Sequence, residues 1–249
     1  MKAGVGSLIY AAETDKGIVR ELNEDSCAII PVSAESSCVF VIADGMGGHN
    51  CGELASRLAV EYIKDNLHIE ACTDDSVIPR ELENIVKKAN AAVYEKSLES
   101  DEVSGMGTTL TMAVITGKKL TAAHVGDSRL YLVRAGSIKQ LTEDHSYIGE
   151  LVRQGTLTKE EAEKHPRKNV ITRAIGCTSE ILVDIISYDI EDGDIFVLCT
   201  DGLTNMVSEQ DILQIVGSSE PEAACAKLIE AANRNGGEDN ITVIVIKCE

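Results

Sequence analysis

Val39-Phe40-Val41-Ile42-Ala43 runs straight into Asp44-Gly45. A short apolar run rich in β-branched residues reads as a buried strand. The carboxylate then stands where the strand leaves the sheet, beside a glycine that lets backbone come close to other atoms. The arrangement recurs. Ile195-Phe196-Val197-Leu198-Cys199-Thr200 ends in Asp201-Gly202, and Thr121-Ala122-Ala123-His124-Val125 leads to Gly126-Asp127. Asp239-Asn240 opens a further run from Ile241 to Ile246. A carboxylate in such a place adds little to stability. Repeated along the chain, it points to carboxylates converging on hard metal ions, which prefer oxygen ligands.

Working outward, Leu110–Ile115, Leu120–Val125 and Leu130–Val133 are further strand runs, with hairpin turns at Gly117-Lys118 and Ala135-Gly136-Ser137. Helical periodicity places apolar residues on one face of Gly52–Leu67 and of Arg80–Leu98. A third helix starts after Ser208 with Asp211 as capping partner, and a fourth runs from about Glu222 to Asn233, stopping at Gly236-Gly237. Strands joined in hairpins with helices outside predict antiparallel sheets covered by helices, an α+β architecture. His145–Asn169 differs: it is polar, is broken by Gly155 and Pro166, and carries a capping box at Thr158 and Glu161. It reads as an insertion over one edge, either a substrate-contacting flap or a solvated connector.

The chain has 249 residues and no linker, so the expectation is a single domain, 1–249, with the insertion at about 145–170. Hydrophobic residues make up 44%, but there is no Trp and only 2 Phe, so the core is aliphatic. The net charge of −18 comes with no basic stripe, which argues against nucleic acid as a partner, since phosphate neutralisation carries most of that affinity. No stretch approaches the ~18 apolar residues of a membrane span, and Leu8–Ala12 is shorter than a secretory h-region. The expectation is a cytoplasmic protein without a membrane segment. The 8 cysteines form no C-x-x-C pair, and their spacing suits reduced thiols better than zinc or disulfides. His68, His145 and His165 are expected at the surface or in the insertion rather than as ligands.

The segment Thr14-Asp15-Lys16-Gly17-Ile18-Val19-Arg20-Glu21-Leu22-Asn23-Glu24-Asp25-Ser26 is dense in charge, and Asp44-Gly45-Met46-Gly47-Gly48-His49 is dense in glycine. Each alone is a weak signal. In order with GMGTTL, HVGDSRLY, LTEDHS, TRAIG, LCTDGL and GEDNITVIV, they cover nearly the whole chain. In these blocks the chain resembles the metal-dependent serine/threonine protein phosphatases, the PPM or type-2C family, in its compact bacterial form.

The resemblance implies a four-layer α-β-β-α sandwich, with two central antiparallel sheets flanked by helices and a metal centre at one edge. It implies two Mn²⁺ or Mg²⁺ ions and, in bacterial members, a third, weaker site. Asp44 would bridge two metals and Gly45 would offer its carbonyl. Asp201 and Asp239 would complete the first metal, and Glu24 would hold the second through water. Asp127, sharing Asp201, would serve the third. Arg20 matches the phosphate-binding arginine, and Asp25 and Asn240 would be supporting residues. Two divalent cations can lower the pKa of a bridging water and neutralise charge on a phosphoryl group, and an arginine fork can grip its oxygens. Some members carry a histidine directly after the Asp-Gly pair, where this chain has Met46. The leaving group would be protonated by His49 or by solvent at the metals.

The expected activity is hydrolysis of phosphoserine and phosphothreonine on proteins, opposing a bacterial serine/threonine kinase, by a monomer. Two other readings stay open. One is a relative acting on anti-sigma-factor antagonists; the other is a pseudophosphatase that binds phosphoproteins without turnover.

Overall fold

The computed structural model describes residues 8–32, 37–47, 51–69, 76–158, 161, 165–167 and 169–249. Two sheets form its centre. One runs in the order β1 (Leu8–Asp15), β11 (Ile241–Cys248), β10 (Ile195–Cys199), β7 (Arg129–Arg134), β8 (Ser137–Gln140). The other runs β2 (Asp25–Pro31), β3 (Cys38–Met46), β5 (Leu110–Thr116), β6 (Lys119–Val125), β9 (Asp184–Asp189), with the two-residue β4 (Gly107–Thr108) paired to the end of β3. Every described strand pairing is antiparallel.

The period of two along each strand decides the layers. On β3, Val39, Val41 and Ala43 face one way, into a cluster with α1 (Cys51–Asn66) and α2 (Ile78–Ser97). Phe40 and Ile42 face the other way and meet Leu130, Leu132, Phe196, Leu198, Ile244 and Ile246 of the opposite sheet. On β11 the same alternation turns Ile241, Val243 and Val245 outward, against Ile212 and Val216 of one helix (Glu209–Gly217) and Ala224, Leu228 and Ala232 of the next (Pro221–Arg234). The result is helices, sheet, sheet, helices, as expected. A register slip of one residue would exchange the two faces of a strand, so burial on both sides pins the pairing.

The helix signals hold to within a few residues. Ser208 caps Glu209–Gly217 by accepting from Asp211 N. Thr158 and Glu161 exchange the two bonds of a capping box, Thr158 N to Glu161 Oε2 at 2.9 Å and Glu161 N to Thr158 Oγ1 at 3.2 Å. The hairpin at Ala135-Gly136 puts both residues at positive φ, 50° and 74°. A short helix, Tyr147–Arg153, follows His145 and Ser146, and no described helix is long and apolar enough to cross a membrane. Of the two places expected for His145, the surface is ruled out: it stands at the start of the insertion, but it is 2% exposed and hydrogen-bonded inside the protein. His49 lies outside the described residues.

Register also places the motifs. Asp25 lies opposite Asp44, Cys199 opposite Val243, and Leu110 opposite Val125. The ends of β3, β6 and β10 and the starts of β2, β5 and β11 therefore share one edge of the sandwich.

Phe40 is fully buried between the sheets, with its ring 5.3 Å from that of Tyr10 in an edge-on contact. Phe40→Ala is expected to cost about 3–5 kcal/mol of stability, measured by urea unfolding. A cost under about 1 kcal/mol would mean that the inter-sheet layer is not packed as described.

Candidate metal centre

Asp44 is held through its backbone. Its N–H donates to Thr109 Oγ1 at 2.9 Å, and its carbonyl accepts from Thr109 N and from Thr108 Oγ1, each at 2.9 Å. The glycine-rich Gly105–Thr109 segment is thus a strap that fixes the end of β3. Gly45 must be glycine, because a Cβ there would lie 2.1 Å from Gly52 O. Gly202 is constrained likewise, with a Cβ falling 2.0 Å from Asn240 O. These close approaches bring the Asp44, Glu24, Asp201 and Asp239 segments together.

Asp25 ties the two sheets. Its Oδ2 accepts from Thr200 Oγ1 at 2.9 Å and from Thr242 Oγ1 at 2.7 Å. Asn240 works as a clamp: its Oδ1 accepts from Glu24 N at 2.8 Å, while its Nδ2 donates to Lys16 O and Leu22 O at 2.9 and 2.8 Å. The loop carrying Arg20 is thereby fastened to the start of β11. Arg20 Nη2 donates to Asp239 Oδ2 at 2.9 Å, with both side chains partly exposed at the mouth. The backbone N–H groups of Gly52 and Glu53 at the start of α1 pull the Glu24 pKa down against its burial, as the positive end of a helix does for a nearby negative charge. Asn205 Nδ2 donates to Asp201 Oδ2 at 3.0 Å.

The carboxylates feel one another. Burial pushes Asp44 well above the usual carboxylate range, and Asp25, Asp201, Asp127 and Asp239 push it further. Asp25 is raised to about 7, by burial first and then by Asp201 and Asp239, against the lowering effect of its two threonines. Asp127 is raised to about 8 by burial, Asp201 and Asp144. Asp201 is raised by burial and Asp239, and Glu24 by burial.

Asp25 Oδ1 and Asp127 Oδ1 are buried without a hydrogen-bond partner. Unpaired buried charge is costly, and a divalent cation among these oxygens would remove that cost. Among the described residues, no group of three or more Asp, Glu, His and Cys side chains is set to hold an ion as it stands. Mg²⁺-type ions keep several waters and take only one or two carboxylates each. Carboxylates gathered around Asp44 suit such ions better than a dedicated cage, and the donor set is all oxygen. The residues therefore fit the group.

Of the residues named from sequence, Asp25, Asp44, Asp127, Asp201 and Asp239 meet in this electrostatic cluster, and Glu24, Arg20 and Asn240 border it. Sequence reasoning missed the hydroxyls of Thr108, Thr109, Thr200, Thr242 and Ser128. Ser128 Oγ lies 2.7 Å from Thr109 Oγ1. A signal existed: each sits beside or within two residues of a motif residue, or in the strap, and is fully buried. In a strand, however, threonine is readily accounted for by β propensity alone.

A family model described as Protein phosphatase 2C matches residues 18–234. The serine/threonine phosphatase stp of Listeria monocytogenes is 38% identical over 236 residues, covering 94% of this chain and 93% of that protein. The structure of the S. agalactiae serine/threonine phosphatase superimposes with a TM-score of 0.91 at 37% identity, covering 97% of this chain and 100% of the other. A crystal structure of the catalytic domain of the phosphatase PstP in complex with 2 manganese ions gives a TM-score of 0.85 at 35% identity, covering 97% and 98%.

The raised carboxylates set a pH dependence. Between the unfolded carboxylate value near 3.9 and the folded values of about 7 and 8 for Asp25 and Asp127, the metal-free folded protein binds more protons than the unfolded chain. Its stability therefore falls as pH rises through that range. His124 and His145 are held low by burial and act oppositely, but only below their ordinary value of about 6.5. In EDTA the melting temperature should drop from about pH 6.5 to pH 8, and saturating Mg²⁺ should flatten the drop. A melting temperature that rises over this interval in EDTA would contradict the carboxylate cluster.

Proposed function

The chain belongs to the protein phosphatase 2C family and is a metal-dependent protein-serine/threonine phosphatase, and we propose that its active site is the carboxylate edge of the sandwich. The observation that carries the assignment of the site is the convergence of Asp44, Asp201, Asp239, Asp25 and Asp127 on one another, against their mutual repulsion. Asp44, with Asp201 and Asp239, is assigned to hold the first of two Mn²⁺ or Mg²⁺ ions, and Gly45 to supply a backbone carbonyl at the centre. Asp44 and Glu24 are assigned to hold the second, and Asp127 with Asp201 a third, weaker one. When bound, the ions supply acidification of water and neutralisation of phosphoryl charge.

The remaining work falls to the chain itself. Arg20, anchored through Nη2 on Asp239, is assigned to grip phosphoryl oxygens with its guanidinium fork and align phosphorus. Asp25 and Asn240 keep the two sheets and the Arg20 loop in register. Ile18, Val19 and Leu22 stand exposed on that same loop, an apolar collar that suits a polypeptide better than a small phosphomonoester. His49 is kept as a candidate proton donor to the leaving oxygen, and the excursion at about 145–170 as the flap. The proposed setting is the cytoplasm, with the protein acting as a monomer against a serine/threonine kinase and its substrates. The apolar burial of Cys38, Cys199, Cys225 and Cys248 accords with a reducing compartment.

Hydrolysis of a phosphothreonine peptide, followed by phosphate release in Mn²⁺ and then in EDTA, tests the activity. Release in Mn²⁺ and none in EDTA is expected; metal binding without release would leave a phosphoprotein-binding module instead. Asp201→Asn should abolish release at any Mn²⁺ concentration, and near-normal turnover would reject Asp201 as a ligand.

Arg20→Ala should raise KM for the peptide about tenfold or more, the worth of a charge-assisted hydrogen bond. An unchanged KM would remove Arg20 from phosphate binding.

A further inference from the structure

Asp144, His145 and Ser146 are three consecutive residues with three separate attachments. Asp144 takes a two-pronged bond from Arg129, Nε to Oδ1 at 3.0 Å and Nη2 to Oδ2 at 2.7 Å. Ser146 caps the helix Tyr147–Arg153 by accepting from Gly149 N. His145 sits between them and is 2% exposed. The backbone N–H of Gly126 donates to its Nδ1 at 3.0 Å, and its own N–H donates to Gly126 O at 2.7 Å.

A backbone N–H can only donate, so Nδ1 is the acceptor and the ring proton lies on Nε2. That nitrogen is 3.1 Å from Asp184 Oδ2, to which it donates; Arg173 Nη1 donates to Asp184 Oδ1 at 2.6 Å and lies 3.0 Å from the protonated Nε2 without bonding it. Burial lowers the affinity of His145 for a second proton, which keeps Nδ1 free to accept. The chain also returns here after the excursion. Thr172 N donates to His145 O at 2.8 Å, and Ser146 bridges to Ile171. His145 is therefore the knot where both ends of the excursion meet the turn that carries Asp127.

Gly126 has little freedom of its own. Its φ is +113°, and a Cβ would lie 2.6 Å from Thr109 Cβ and Cγ2. Thr109 is the residue that holds Asp44 through its hydroxyl. The two bonds from His145 fix both polar atoms of the Gly126 backbone, and with them the direction in which the chain enters Asp127.

We propose that His145 is a positioning residue for Asp127, holding the Gly126-Asp127 turn through Nδ1 so that the Asp127 carboxylate stays aimed into the metal centre. This rests on the assignment of Asp127 as a ligand. On that assignment His145 acts through the Gly126 amide rather than on the ion itself, as outer partners of metal ligands do.

Two variants separate positioning from packing. His145→Asn places an amide oxygen near the position of Nδ1 and can still accept from Gly126 N–H. His145→Gln reaches toward the position of Nε2 and leaves that N–H without an acceptor. The first measurement is hydrogen exchange of the Gly126 amide without metal. The second is Mn²⁺ calorimetry, with Asp127→Ala marking the weaker component of the isotherm. Gln is expected to speed Gly126 exchange and weaken that component about tenfold or more, while Asn keeps both near wild type. The proposal fails if Gln leaves exchange and isotherm unchanged, or if Asn and Gln lose both equally, which would signify packing alone. It also fails if Asp127→Ala leaves the isotherm unchanged. In that case faster Gly126 exchange in the Gln variant would show that the contact is real and the ligand assignment at fault.

Discussion

Negative charges crowded at one edge of a sandwich repel one another, and the apolar layers behind them supply almost no screening. Asp44 feels four other aspartates in addition to its own burial. Left to themselves, these side chains would turn outward to water. The site exists because the surrounding backbone denies them that freedom, and each close approach at the edge serves this end. Gly45 against Gly52 and Gly202 against Asn240 are contacts that no side chain could share.

The groups that restrain the carboxylates are mostly uncharged. Thr200 and Thr242 hold Asp25, Asn205 holds Asp201, and Asn240 clamps the Arg20 loop by accepting from Glu24 N. Lysines or arginines in these places would stabilise the aspartates more strongly, but they would also cancel the negative potential on which the proposed cation sites depend. Hydroxyls and amides orient without neutralising. The main exception, Arg20 on Asp239, stands partly exposed, where the proposed phosphoryl ligand would compete for it. Arg129 is bonded to Asp144, one step removed, and only its charge reaches the centre, where it partly offsets the upward push on Asp127 and Asp201.

Legibility in the sequence follows burial. The central strands β3, β5, β6, β7, β10 and β11 are apolar on both faces, because a second sheet lies on one side and helices on the other. Their runs stand out at once. The strands at the four sheet edges, β1, β2, β8 and β9, carry mixed and half-exposed residues and did not. The helix Asp201–Thr204 is too short to show a period. The burial of His145 went unread because its polar surroundings in sequence are those of a surface loop. Its actual neighbours, Gly126, Arg173 and Asp184, lie far off along the chain.

The order of residues was sufficient to establish the strand alternation, the capped helices and the carboxylates at strand ends, since each depends on neighbours within a few positions. Those local patterns, with the motif blocks, led to the layered fold and to the acidic residues of the centre. Folding alone decided which atoms serve those residues. Asp25 meets Thr200 and Thr242 across 175 and 217 positions, and Gly126 meets His145 across 19. A hydrogen bond depends on distance in space to within a few tenths of an ångström. No spacing along a chain of 249 residues sets that until two sheets have closed on each other.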